Sequence, residues 1–243
     1  MYEYLFYICL PLVAFLYASV GHGGASGYLA LLSLFAFSST DVKAIALTLN
    51  LFVAGIAFLQ YYKARHFDKK LFLFLACTSI PMAFVGGSIS LDTQIYFYLL
   101  GIFLFLASLK LFFTNSKNKE SEVKSFSIPI VLLMGASIGF LSGMLGIGGG
   151  IILSPLILFF AWSRPKTTAG ISALFIFVNS AAGLLGQYSI GFHYPRTMPY
   201  IIALVVIGGF LGSYLGATKW SALRIKQVLA GVLLLASLKI FLS

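Results

Sequence analysis

The sequence is poor in charged residues, and that scarcity indicates which solvent surrounds the chain. Only 9% of its 243 residues are Asp, Glu, Lys or Arg, whereas 60% are hydrophobic. Soluble domains carry roughly 25% charged residues. The composition excludes an ordinary soluble domain and predicts an integral membrane protein whose main partner is the lipid bilayer.

Acidic side chains are missing from the interior of the apolar runs. A cation or metal transporter would be expected to carry Asp or Glu within a span, so this class is disfavoured. A membrane-embedded enzyme is also disfavoured, because the sequence shows neither a metal-ligand cluster nor a Ser, His, Asp set. The six acids, all at run ends or in loops, are Glu3, Asp41, Asp68, Asp92, Glu120 and Glu122.

Cysteine and basic residues indicate no second function. Cys9 and Cys77 lie in separate apolar runs, where small buried thiols are expected rather than a disulfide or a metal pair. The net charge of +10 is explained by Lys and Arg residues that flank membrane spans, so nucleic acid is not expected as a partner.

Long uncharged runs supply the expected membrane spans. Most approach or exceed the roughly 20 residues that a helix needs to cross the bilayer. Their hydrophobic residues are continuous rather than alternating, which favours helices over a β-barrel. The runs cover 4–40 and 167–195 (each interrupted by one His), 44–62, 71–91, 93–109, 126–163, 197–218 and 227–238.

The chain contains two copies of one unit. LASLKLFF at 106–113 returns as LASLKIFL at 235–242, a spacing of 129 that also relates Asn50 to Asn179. A glycine cluster, GHGGA at 21–25, matches GIGGG at 146–150 at a spacing of 125. We therefore expect a first repeat at 1–113 and a second at 126–243, joined by the polar linker at 114–125.

The long apolar segment 127–162 cannot be one straight helix. Its 36 residues would extend about 54 Å, far beyond the roughly 30 Å of hydrocarbon. The glycines of GMLGIGGGIILSP at 143–155 mark the expected break, with a piece of about 15 residues on either side. We expect each half to be a broken or re-entrant helix hairpin plus three transmembrane helices, with a tilted single crossing as the alternative.

Charge placement favours the hairpin. Hairpins make the second repeat inverted relative to the first, and 13 Lys and Arg residues then lie on one side of the membrane against 3 on the other. Single crossings give 10 against 6. The positive-inside rule predicts an all-α protein of two inverted repeats, with a cytoplasmic linker and both termini outside. Two full crossings per long segment would keep this direction with ten spans.

The glycine clusters are candidate anion-binding elements. Glycine lets a ligand approach backbone N–H groups, and the start of the following half-helix offers unsatisfied donors at the positive end of the helix dipole. Two such starts facing each other near the midplane would bind an anion without Lys or Arg. The alternative is that the glycines only allow close helix packing. The candidates are Gly21, Gly23, Gly24, Gly146, Gly148, Gly149 and Gly150.

Four polar residues complete the predicted site: His22, Ser26, Asn50 and Asn179. The two asparagines sit deep in their spans, where each bonds either a neighbouring helix or the substrate. His22 either donates to an anion, carries a coupling proton, or bonds a nearby carbonyl. Ser26 lies beside the first glycine cluster, where its hydroxyl reaches its own helix or a ligand.

The second glycine cluster resembles the glycine signature of the sulfite exporter TauE/SafE family of membrane transporters. The stretch that carries the resemblance is GMLGIGGGIILSP at 143–155, and ASVGHGGASGY at 18–28 is a weaker copy of it. With the length and the repeat layout, the resemblance covers essentially the whole chain. It implies transport of sulfur-containing anions such as sulfite, sulfonates or sulfoacetate-like compounds across the cytoplasmic membrane. His22 and Ala25 distinguish the first copy from the second, so strict equivalence of the two half-sites is not expected.

The sequence favours a secondary transporter and leaves alternatives open. An anion channel with the same site is the main one, and a cation or metal transporter is a weaker one. No cofactor or metal is expected, and coupling to H⁺ or Na⁺ is open. The expected partner is a small anionic substrate; the identity of the anion, the direction of transport and the oligomeric state are not determined.

Overall fold

The computed structural model describes residues 2–34, 39–92 and 123–219, together with a few helical residues between 94 and 109 and between 227 and 238. The described residues form eight bounded helices and no strand. The helices are α1 (Tyr2–Ala18), α2 (Ala25–Leu34), α3 (Ser39–Lys63), α4 (Lys69–Gly87), α5 (Ile128–Leu145), α6 (Gly150–Phe159), α7 (Pro165–Tyr188) and α8 (Met198–Thr218).

Five of these helices, α3, α4, α5, α7 and α8, are long and apolar enough to cross a membrane. Large apolar side chains also point outward, such as Leu133 and Leu185, which are 69% and 67% exposed. Such exposure suits contact with lipid rather than water. The all-α membrane fold is therefore confirmed, whereas the third span expected in each half lies largely outside the described residues.

Local chemistry explains where several helices begin and end. Asp68 caps α4 by accepting hydrogen bonds from the backbone N–H groups of Lys70 and Leu71, and α5, α7 and α8 each carry proline in their first turn. After α1, Gly21 N–H donates to the carbonyl of Ala18 and His22 N–H to that of Tyr17. This pattern ends a helix and requires the positive φ of 76° that Gly21 adopts.

The helix ends gather at two faces of the molecule. The linker face contains the end of α3, the start of α4, residues 124–126, residues 161–166 and the end of α8. At this face Lys166 Nζ donates to the carbonyl of Ala217 at 3.1 Å. The far face contains the start of α3, the end of α4 and the loop between α7 and α8. There the N–H of His193 donates to Asp41 Oδ1 at 2.8 Å.

Helices α5 and α6 form a re-entrant hairpin. Lys124 N–H donates to the carbonyl of Ala161 at 2.9 Å, and the ring of Phe126 lies 6.3 Å from that of Trp162. The residues before α5 and after α6 therefore meet at the linker face. At the other end of α5, a Cβ on Gly146 would lie 3.3 Å from Lys43 at the far face.

The two arms of this hairpin are unequal. Helix α5 has 18 residues and α6 has 10, so the expectation of two pieces of about 15 residues is wrong. At 1.5 Å per residue α5 is about 27 Å long and covers most of the hydrocarbon thickness, whereas α6 covers about half of it. The break falls late in the segment because Gly146, in the left-handed conformation at φ 72°, ends α5.

Close contacts fix the directions of the other helices. A Cβ on Gly208 would meet the carbonyl of Pro11, and one on Gly216 would meet that of Ser19. Helices α1 and α8 are therefore parallel, and both run from the far face to the linker face. Hence α1 and α5 run in opposite directions, as inverted halves require. The inverted repeat as a whole stays a prediction, because the last span of each half is mostly not described.

Two hydrophobic cores meet at the glycine clusters. One is built mainly from α1, α2, α3 and α8, and the other from α4, α5, α6 and α7. Ile147 and Ile151 belong to the first core, whereas Leu153 and Ile157 belong to the second. The second break therefore lies at the seam between the two cores.

Candidate functional site

The first break, Gly21–Gly24, leads from α1 into α2. Gly21 and Gly24 have φ values of 76° and 98°, a conformation that side chains rarely adopt. The N–H of Ala25 at the start of α2 donates to Asn50 Oδ1 at 3.0 Å. Asn50 therefore caps α2 from the middle of α3.

The second break, Gly146–Gly149, leads from α5 into α6. Gly146 and Gly149 have φ values of 72° and 78°, so positive φ recurs at the 125-residue spacing of the two clusters. Gly149 is the N-cap residue of α6, and no side chain caps this helix start. The start of α6 thus lacks the cap that Asn50 provides for α2.

The two breaks converge on Asn50 and Ile176. A Cβ on Gly23 would contact Asn50 Oδ1 and approach Ile176 Cγ2 to 3.1 Å. A Cβ on Gly148 would lie 2.5 Å from Asn50 Nδ2 and 2.8 Å from Ile176 Cγ2, and one on Gly150 would lie 3.1 Å from His22 Cδ2. The starts of α2 and α6 therefore meet halfway along α3 and α7.

A cluster of hydroxyls and one imidazole joins the two halves beside this point. Ser154 Oγ lies 3.3 Å from His22 Nε2 and 2.7 Å from Ser172 Oγ. His22 is only 2% exposed. Nearby, Asn50 Nδ2 donates to Ser180 Oγ at 3.2 Å. The serines of this cluster were not among the predicted site residues. Ser180 directly follows Asn179 in the sequence, and Asn179 was predicted because it is related to Asn50 by the repeat.

Other predicted residues point away from the convergence. Ser26 Oγ donates to the hydroxyl of Tyr17 at 2.8 Å, and a Cβ on Gly149 would face the ring of Phe175. Gly21 faces the backbone of Ala169. Gly146 faces Lys43 and Gly24 faces Tyr28. These contacts hold the two breaks in shape rather than line the space between them.

The two asparagines differ in their bonds. Both polar atoms of Asn50 bond other elements, whereas Asn179 Nδ2 donates within its own helix to the carbonyl of Phe175 at 2.7 Å. Asn179 Oδ1 is buried without a hydrogen-bond partner, which is costly unless another group completes it. The structure thus shows Asn50 as a link between elements and leaves an acceptor open on Asn179.

Lys43 lies beside the second break. Its side chain is only 3% exposed. Its Nζ donates to the carbonyl of Ile89 at 3.2 Å, and its stem packs on Gly146. The reason is that α3 begins at Ser39, which places Lys43 inside the helix and under the end of α4.

Comparisons with known proteins identify the family of the chain. The family model described as sulfite exporter TauE/SafE matches residues 6–240. The chain belongs to the sulfite exporter TauE/SafE family. The chain is 32% identical over 238 residues to a probable membrane transporter protein, y4hK, of Sinorhizobium fredii, and the match covers 96% of each chain.

Two further relatives of this TauE/SafE protein are more distant. The probable membrane transporter protein YunE of Bacillus subtilis is 27% identical over 178 residues, covering 65% of this chain and 64% of that protein. MJ0441 of Methanocaldococcus jannaschii, a probable membrane transporter protein, is 29% identical over 156 residues, covering 61% and 58%. No solved structure matches the chain. The chain is therefore a multi-pass membrane transporter and not an enzyme.

Proposed function

We propose that this protein is a secondary transporter that moves small sulfur-containing anions, such as sulfite or a sulfonate, across the cytoplasmic membrane. The anion is held between the starts of α2 and α6. The observation that carries this proposal is the convergence of Gly23, Gly148 and Gly150 on Asn50 and Ile176. A side chain at any of the three positions would collide with Asn50 or Ile176, so glycine lets the two helix starts approach these residues closely.

Helix starts suit an anion for a physical reason. Their first N–H groups lack partners within the helix, and the helix dipole is positive there. Each start contributes roughly 0.3–2 kcal/mol, so two starts together with hydroxyl donors reach a useful affinity. The uncapped start of α6 and the hydroxyls of Ser154 and Ser172 are the donors that support this site.

Burial of the site favours a transporter over a channel. Every residue from Gly21 to Ser26 and from Leu145 to Ile151 is buried. A substrate reaches this site only if the two halves move apart on one side at a time, as in alternating access. The described residues contain no group of three or more His, Cys, Asp or Glu that could hold a metal ion.

Charge placement supports a cytoplasmic linker face and external termini. The positive-inside rule assigns the face rich in Lys and Arg to the cytoplasm. Among the described residues, Lys43 and Arg196 lie at the far face. Those at the linker face are Lys63, Arg65, Lys69, Lys70, Lys124, Arg164, Lys166 and Lys219.

A liposome assay tests the function. Purified protein is reconstituted, and accumulation of sulfite, sulfate, thiosulfate and a sulfonate is measured with and without a pH or sodium gradient. We expect saturable, gradient-dependent accumulation of at least one sulfur anion. Linear flux that ignores both gradients would favour the channel, and no flux of any of the four anions would contradict the proposal. The gradient that drives uptake identifies H⁺ or Na⁺ as the coupling ion.

A further inference from the structure

We propose that Lys43 and Gln187 form a second anion-binding station, between the central site and the far face, for the same class of small oxyanion. The inference depends on the proposed function, since it places a waiting position on the route of the transported anion. It depends on three features of the structure: the register of α3 against α7, the two amide atoms of Gln187 that have no hydrogen-bond partner in the described part of the chain, and the loop that is bonded to the start of α3.

The register of α3 and α7 brings the two residues to the same depth. The helices are antiparallel, and a Cβ on Gly183 would lie 3.5 Å from Leu47. Lys43 precedes Leu47 by four residues, and Gln187 follows Gly183 by four. Residues four apart lie on one helix face. Lys43 and Gln187 therefore occupy the next turn of the same seam, toward the far face.

The side-chain amide of Gln187 is buried without a hydrogen-bond partner, and a bound ligand would supply one. Its side chain is fully buried, and neither amide atom has a hydrogen-bond partner among the described residues. Each buried polar group without a hydrogen-bond partner lowers stability by about 1–3 kcal/mol, and the side-chain amide of Gln187 contains two such groups. An oxyanion beside it would accept a hydrogen bond from Nε2.

Lys43 supplies the charge that attracts an anion to this depth. It is 3% exposed, and its Nζ donates to the carbonyl of Ile89 at 3.2 Å. The side chain also lies against Gly146, the residue that opens the second break. An anion leaving the central site toward the far face would therefore pass beside Lys43.

A loop closes this end of the route. Residues 189–197 connect α7 to α8 and cross the start of α3. Tyr194 hydroxyl lies 2.6 Å from Thr48 Oγ1, and the N–H of His193 donates to Asp41. The loop is thus bonded to α3 on both sides of Lys43 along the chain, so we infer that opening these two bonds gives the station access to the far face.

Uptake kinetics test the station on the full chain in liposomes, with sulfite and thiosulfate as probes. Lys43→Gln removes the charge, Lys43→Arg keeps it, and Gln187→Leu removes the amide. Lys166→Gln is the matched control, because Lys166 Nζ also donates to a backbone carbonyl near a helix end, at the linker face. Thermal stability is measured for every variant.

We expect Lys43→Gln and Gln187→Leu to raise KM by at least about fivefold, with Lys43→Arg near wild type and Lys166→Gln unchanged. If Lys43 only caps the end of α4, then Lys43→Gln loses thermal stability but keeps the wild-type KM, and the inference is overturned. If Lys43→Gln does not fold, an unchanged KM in Gln187→Leu overturns it instead. Absence of uptake by the wild-type protein would remove the proposed function and this station together.

Discussion

At the scale of single residues, Asn50 and Asn179 show how a repeated residue acquires two roles. Asn50 accepts from the start of α2 and donates to Ser180, so it joins the first break to α7. Asn179 uses its amide donor within α7 and keeps a buried acceptor open. We assign the first role to holding the break against α7, and the second to contact with the substrate or its hydration water.

This difference predicts different losses on substitution. Asn50→Leu leaves the N–H of Ala25 and the hydroxyl of Ser180 without their partner, so we expect it to lower the free energy of unfolding by about 1–3 kcal/mol. Asn179→Leu removes only a bond within α7, so stability should change little while substrate binding weakens. Thermal unfolding and anion binding in detergent measure both. Normal binding by Asn179→Leu would show that this residue is not part of the site.

Gly148 tests the role of the open backbone. A methyl group there would meet Asn50 and Ile176 at a φ of 71°, so the break would have to shift although the charge stays the same. We expect Gly148→Ala to weaken anion binding several-fold or more, equivalent to at least about 1 kcal/mol. Titration of the anion against the purified variant gives the affinity.

Packing damage could cause the same loss, so a second glycine serves as the control. Gly208 lies between α1 and α8, where a Cβ would meet the carbonyl of Pro11, far from either break. Gly208→Ala therefore reports the effect of packing damage alone. If Gly148→Ala loses binding only in proportion to its loss of stability, as Gly208→Ala does, the glycines are packing elements.

At the scale of elements, the α5–α6 hairpin is the feature that sets the site in place. Its ends meet at the linker face through the bond between Lys124 and Ala161, so α6 begins at mid-depth instead of emerging on the opposite side. A helix of 10 residues is about 15 Å long, half the hydrocarbon thickness. The start of α6 is buried for this reason.

Crosslinking checks the hairpin directly. In a background that lacks Cys9 and Cys77, the pair Lys124→Cys and Ala161→Cys should form a disulfide on mild oxidation, because paired backbone groups bring the Cα atoms within disulfide range. The pair Lys124→Cys and Ser189→Cys, at opposite faces, should stay reduced. Equal oxidation of both pairs, or none in the first, would disagree with a re-entrant α5–α6.

At the scale of the whole molecule, the two halves are held together where each contributes one glycine break. The first core contains residues of the second break, such as Ile147 and Ile151, so neither half completes its packing alone. Movement of one half against the other would open the contacts of Gly148 and Gly150 with Asn50, Ile176 and His22. That seam is where alternating access would operate.

Labelling of single cysteines measures the orientation of the molecule. Cysteines replacing Lys119 and Arg224, both outside the described residues, should react with an impermeant maleimide only after the cells are opened, whereas one replacing Arg196 should react in intact cells. This follows from the positive charge at the linker face. External labelling at Arg224 with internal labelling at Lys119 would support the parallel arrangement of the halves instead.

The sequence by itself determined the solvent, the helical class, the repeated glycine clusters and the position of the second break. These are local properties: composition sets the solvent, run length sets the spans, and a glycine cluster inside a run that is too long to be one helix marks where it breaks. The family resemblance rested on the same local motif and was confirmed over residues 6–240.

Only the tertiary structure decided which residues meet. Burial of Lys43, the different bonds of Asn50 and Asn179, the uneven arms of the hairpin and the serine cluster around His22 all depend on how α3 and α7 pack against the two breaks. Spacing along one helix cannot show this, because the depth and rotation of each helix are set by its neighbours through close glycine contacts. In the described residues those contacts place two similar motifs in different surroundings.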